Sequence, residues 1–130
     1  MSSLSNAPVW NSHVEKWSPH VDKWITEFGY EWSILDLPSM VRVRFSERLT
    51  RGLGRCTPEN GSIRLKMKLS RDVPVILREV LCHELAHFAV WYVHGRSARR
   101  HGLEWRELME LAGYTPRLAI ISRCQIETID

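Results

Sequence analysis

The sequence predicts an α+β fold in which a small antiparallel sheet and flanking helices pack around one long buried helix. Three observations carry this. The stretch from about 73 to 94 is apolar almost all round between Leu85 and Val93, as a helix surrounded by protein should be. The segments 41–45 and 63–69 alternate apolar with basic residues, the period of half-buried strands. Finally, 130 residues at 44% hydrophobic and 25% charged suit one ordinary domain, expected over 1–130, with no second core.

The first nine residues are small and polar, an expected frayed lead-in. Trp10, Trp17 and Trp24 recur every seven residues and read as a stripe docking this region onto the core, with His13 and His20 as partly exposed neighbours. A second metal site from His13 and His20 is disfavoured, because Pro19 interrupts the single helix that would align them. Ser18-Pro19 resembles a cap followed by a first-turn proline, and Gly29 a stop, which predicts a helix over 19–28.

The two alternating segments are joined by Arg51 to Gly61, a linker rich in turn formers that ends in the tight-turn pair Asn60-Gly61. Antiparallel pairing is expected, with a third short strand near Arg55-Cys56. The strand around 63–69 is also a candidate edge for an extended peptide to join. For the long helix, Asp72 is the candidate cap, Pro74 sits in the first turn and Gly95 is the stop. A further helix is expected over 103–112, ending at Gly113. The segments 118–121 and 125–128 could form strand or pack loosely.

Lys and Arg number 18 against 15 Asp and Glu, a formal net charge of +3. This mild excess permits a phosphate-bearing partner without requiring one. Candidate phosphate contacts are Arg64, Lys66 and Lys68 on the second alternating segment, which form one basic stripe with Arg42 and Arg44 of the first, and Arg96, Arg99 and Arg100 in the turn after the long helix; a solvated sheet face is the plainer account of the stripe. Cys56, Cys82 and Cys124 are an odd number with no CxxC pair, which favours a reducing compartment. The N-terminus has no basic start followed by an apolar run, and no apolar stretch approaches a membrane span. An intracellular, non-secreted monomer in cytoplasm, nucleoid or nucleus is expected, without membrane contact.

Chemistry concentrates in His83-Glu84-Leu85-Ala86-His87. Residues four apart on a helix are offset by about 40° and one turn, so both imidazoles project from one face at a distance that one metal ion can bridge. Glu84 flanks that position, where a carboxylate can take a proton from an attacking water. Zinc suits two neutral imidazoles and keeps an open position when only three protein ligands bind it. The alternative, two core histidines without metal, would leave both rings needing partners inside an apolar helix. For the third ligand, His94 shares the stripe but lies roughly 10 Å beyond His87 along the axis. His101, after Gly95 and the turn Arg96-Ser97-Ala98-Arg99-Arg100, can return to the site and is the better candidate. Glu104 or Glu107 remains as a carboxylate alternative.

With Gly54-Arg55-Cys56, Gly61-Ser62-Ile63-Arg64-Leu65, the HExxH segment and His101-Gly102-Leu103-Glu104-Trp105 in that order, residues 40–115 resemble the SprT-like metalloproteases, relatives of the Spartan proteases. The resemblance implies a zincin-like domain with one Zn2+ ion held by His83, His87 and His101, Glu84 as general base, and Cys56 as a packing residue. It also implies protein substrates, including proteins associated with or crosslinked to DNA. Many bacterial members continue into a cysteine-rich zinc ribbon, whereas this sequence is similar to the bare catalytic domain.

The expected function is therefore zinc-dependent endopeptidase activity. A zinc-stabilised DNA-binding module without peptidase activity is the alternative, against which Glu84 argues, since a purely structural site closes with four protein ligands. Hydrolysis of a non-peptide bond would use the same ligands. Tyr92, Tyr114 and an arginine among Arg96, Arg99 and Arg100 are candidates to stabilise an oxyanion. Trp91 and Trp105 read as core rather than as base-stacking platforms.

Overall fold

Between residues 42 and 66 the chain reverses direction twice, and this determines the sheet. The computed structural model describes residues 15–71, 73–122 and 125–130. Strand β1 (Arg42–Ser46) runs one way, β2 (Gly54–Thr57) returns, and β3 (Ser62–Lys66) runs with β1 again. The lateral order is β1-β3-β2, with β1 parallel and β2 antiparallel to β3. The sheet is mixed, which corrects the antiparallel expectation for the two alternating segments. The linker between them contains its own strand, and that strand takes the antiparallel place beside β3. The four residues Pro58 to Gly61 close the β2–β3 hairpin, and Gly61 is required there: its φ is +72°, and a Cβ would run into the Met40 carbonyl oxygen. β3 is therefore the central strand, paired on both sides, which corrects the expectation that the strand around 63–69 offers an edge to an extended peptide. The sheet's edges are β1 and β2.

Two helices precede the sheet, α1 (Ser18–Glu31) and the short α2 (Leu37–Met40). Helix α1 runs past both expected boundaries. Trp17 occupies the cap position and no side chain caps the helix, so Ser18 does not play that role. Gly29 lies within the helix, because its function is close approach: a Cβ there would sit 2.6 Å from the Ile34 carbonyl oxygen. Trp17 is buried, its indole N–H donating to the Ser70 carbonyl at 2.8 Å, while Trp24 is half-buried and His20 exposed. The expectations for residues 1–9, Trp10, His13, Asp72 and Cys124 fall outside the described residues.

Helix α3 (Pro74–His94) is the centre of the fold. Every residue from Glu79 to Val90 is buried, matching the apolar reading of this stretch. The inner face of the sheet, through Cys56, Ile63 and Leu65, belongs to the same core, as do Phe28 of α1 and both Trp105 and Met109 of α4 (Leu103–Leu111). Gly95 ends α3 at φ +74°. Strands β4 (Ala119–Ser122) and β5 (Gln125–Thr128) pair antiparallel, so these two segments are paired strand rather than loosely packed. Beyond it, Ile129 is fully buried. The observed class is mixed α+β with two small sheets.

One charged residue of α3 needs compensation. Glu79 is buried, and Arg117 meets it with two parallel bonds of 2.7 Å. Removing the guanidinium would leave the carboxylate unpaired in the interior. Arg117→Ala is expected to cost about 2 kcal/mol by urea denaturation, less than a fully enclosed pair, because the Arg117 side chain is 52% exposed.

Candidate metal site

The middle of α3 presents His83 and His87 one turn apart, and the turn before α4 brings His101 to the same point. Their nearest ligand atoms lie within 4.8 Å of one another. Among the described residues this is the one group of three or more His, Cys, Asp or Glu side chains so arranged. Trp105, on the first turn of α4, holds the set in place. Its ring stacks on His87 and meets His83 and His101 edge-on, with centroids 5.7, 4.7 and 4.9 Å away, and its N–H donates to the His83 carbonyl at 3.2 Å. Trp105 is thus core, as expected, and a scaffold for the histidines.

Burial keeps the imidazoles neutral. It lowers the pKa of His83 to about 4 and that of His87 to about 2, and it also lowers that of His101. A neutral ring is the form that can offer a lone pair to a metal. Glu84 is fully buried beside them, and neither carboxylate oxygen has a hydrogen-bond partner; the same is true of His83 Nδ1. Burial raises the Glu84 pKa well above the usual carboxylate range, the Asp130 carboxylate adds to this, and Arg100 and Arg55 oppose it. Three neutral imidazoles converging beside an unpartnered carboxylate fit a divalent cation such as zinc, whose charge would offset the isolated one.

The rivals for third ligand lie elsewhere. His94 is exposed, and with Glu104 and Glu107 it borders a separate cavity of about 180 Å³ between α3 and α4. Of the oxyanion candidates, Tyr114 accepts a bond from Arg78 at 2.7 Å and Tyr92 is exposed against Phe88. Arg100 is the one whose charge acts on all three histidines and on Glu84.

The phosphate candidates are dispersed. The second alternating segment stops being strand at Lys66, and residues 67–71 form a 3-10 turn. Lys68 consequently turns towards Glu127, 2.6 Å away, while Arg96 faces Glu59 at 3.6 Å and Arg100 faces Asp130 at 2.9 Å. Arg64 and Lys66 stay on the outer sheet face, half-buried, and Arg99 borders a cavity of about 240 Å³ with His87 and Cys56. Cys56 is buried, and its thiol pKa is pushed up to about 12 by burial and then by Glu84.

Two further residues border the site in roles that the sequence analysis does not assign them. Gly54 passes so close to Glu84 that a Cβ would lie 2.9 Å from both Cγ and Oε2. Gly54→Ala is expected to displace the glutamate and lower the thermal midpoint, at a cost of about 1–3 kcal/mol. Asp130 is the second: its main-chain oxygen lies 2.9, 3.2 and 3.4 Å from Nε2 of His83, His101 and His87. Both lie far in sequence from the helix they meet, so no local periodicity could announce them.

Two histidines one helical turn apart, a third from the following turn and a buried glutamate between them define a candidate metal centre of the HExxH class. The chain belongs to the SprT-like family, whose model matches residues 19–128. It is 43% identical to Protein SprT of Vibrio parahaemolyticus over 58 residues, which are 44% of this chain and 34% of that protein. Protein SprT of Salmonella arizonae is 45% identical over 53 residues, covering 40% of this chain and 32% of its own length. The matched stretch thus spans about a third of these relatives. No solved structure matches the chain significantly. Among the described residues, no helix is long and apolar enough to cross a membrane.

Proposed function

We propose that the protein is a zinc-dependent endopeptidase with a zincin-type site, the whole chain serving as its catalytic domain. The observation that carries this reading is the convergence of three neutral imidazoles beside a buried, unpartnered glutamate. His83, His87 and His101 would hold the ion. When bound, zinc supplies Lewis acidity, acidifying water and polarising a carbonyl. Glu84 accepts a proton from the attacking water and delivers it to the leaving amine. The charge of a bound divalent cation would favour the ionised, proton-accepting form of this buried carboxyl. Arg100 adds positive charge beside the three histidines and Glu84.

Proteins associated with or crosslinked to DNA are the substrate class that the family resemblance implies. One feature of the sheet supports phosphate contact. Arg44, Arg64 and Arg55 form a single row across β1, β3 and β2, and none of them has an ion-pair partner among the described residues. Like charges directly opposite one another are unfavourable until an anion joins them.

The test is to load the chain with zinc, count bound metal, and follow cleavage of an unfolded basic protein with and without single-stranded DNA. One zinc per chain is expected, with cleavage that a chelator stops and zinc restores. DNA should stimulate it, and the stimulation should fade at high salt. One bound zinc with DNA binding and no cleavage would instead favour the zinc-stabilised DNA-binding module.

A further inference from the structure

The residues after β5 pass along the start of β2 and reach the candidate metal site. Leu53 N–H donates to the Thr128 carbonyl at 3.1 Å, and Gly54 N–H donates to the Ile129 carbonyl at 3.2 Å. The next main-chain oxygen, that of Asp130, reaches the point where the three Nε2 atoms converge. The wall of this path is cleared of side chains. A Cβ on Gly52 would lie 3.0 Å from both Asp130 Cβ and the Ile129 oxygen, and Gly54 is kept bare by Glu84. The Asp130 side chain is held by Arg100 at 2.9 Å.

A stretch bonded through consecutive carbonyls to the margin of β2, with the next main-chain oxygen at the histidines, has the placement that peptide hydrolysis requires of a substrate. We propose that Thr128–Asp130 lies in the substrate track, and that Arg100 is a specificity-determining residue selecting an acidic side chain on the residue whose carbonyl reaches the histidines. This rests on the peptidase reading. Leu53 and Gly54 would then hold the substrate main chain whatever its side chains, while Arg100 supplies the preference. Arg100 is half exposed, so the preference over a neutral residue is about fivefold, and a lysine is disfavoured further.

The test uses the metal-free full chain and amide exchange at Leu53 and Gly54, so it does not depend on turnover. Asp130→Lys should speed exchange at both amides about fivefold or more. The blocked peptide Glu-Thr-Ile-Asp should slow it again in that variant, and Glu-Thr-Ile-Lys should need at least about five times the concentration to do so. With Arg100→Glu added, the charge-swapped chain should regain wild-type protection, which also covers the case in which the single variant unfolds. Equal protection by the two peptides, unchanged exchange in Asp130→Lys, or no recovery in the swapped chain would overturn the proposal. Loss of cleavage in the zinc-loaded protein with the peptide preference intact would overturn the peptidase reading alone.

Discussion

Glu84→Gln is expected to lower zinc-dependent cleavage by about two to four orders of magnitude while leaving bound zinc unchanged. The ligand set is untouched, since the amide keeps the size of the side chain and removes only its basicity. The same substitution should stabilise the metal-free protein. Glu84 is fully buried and neither oxygen has a partner, so ionising it in the apo state costs free energy that an amide does not. Because the folded-state pKa is raised, the folded chain holds this proton more tightly than the unfolded chain. The Glu84 contribution to wild-type stability therefore falls as pH rises above the unfolded value near 4.5, opposite in sign to that of the histidines, and the variant escapes that loss. Thermal melts without metal should coincide near pH 4 and separate by about 1–3 kcal/mol in favour of the variant near pH 8. Unchanged cleavage would remove Glu84 as the base. Equal melts at both pH values would mean that the carboxylate finds compensation in solution.

What was legible in the sequence is what local periodicity encodes. The all-round apolar run of α3, the four-residue spacing of His83 and His87, and Gly95 as the stop are properties of a few consecutive turns. The structure reproduces them with almost no shift. His101 could be preferred over His94 because rise per residue limits reach, and the observed cavity beside His94 lies away from the histidine cluster. Strand direction was not legible in the same way. The alternation in 41–45 and 63–69 specifies which face is buried but not which way the neighbour runs, and the outcome depended on whether Arg55-Cys56 formed a strand of its own. Gly29 and Gly54 illustrate a second limit. Each is required by a contact with another part of the chain, Ile34 and Glu84, and only the folded structure brings those atoms together. The Arg100–Asp130 pair is separated by thirty residues and carries no pattern at all.

The pair His101→Ala and His94→Ala separates the two histidines that compete for the third ligand position. His101→Ala should weaken zinc binding by at least about 100-fold in competition with a chelator, since losing a direct ligand costs more than losing a residue that merely orients one. His94→Ala should bind as the wild type does, because His94 is exposed at the end of α3 beside Glu104 and Glu107. The pH dependence supplies an independent check. Burial holds His83 near 4 and His87 near 2, below the unfolded value of 6.5, so protons compete poorly for their lone pairs. Zinc affinity of the wild type should stay level from pH 8 to about pH 6 and fall towards pH 4. The metal-free protein should lose stability over the same acid range, because the unfolded chain takes up protons that the folded histidines refuse. If His94→Ala lost the metal and His101→Ala retained it, the convergence of the three Nε2 atoms would not be the binding geometry, and the assignment of Glu84 beside it would fall as well.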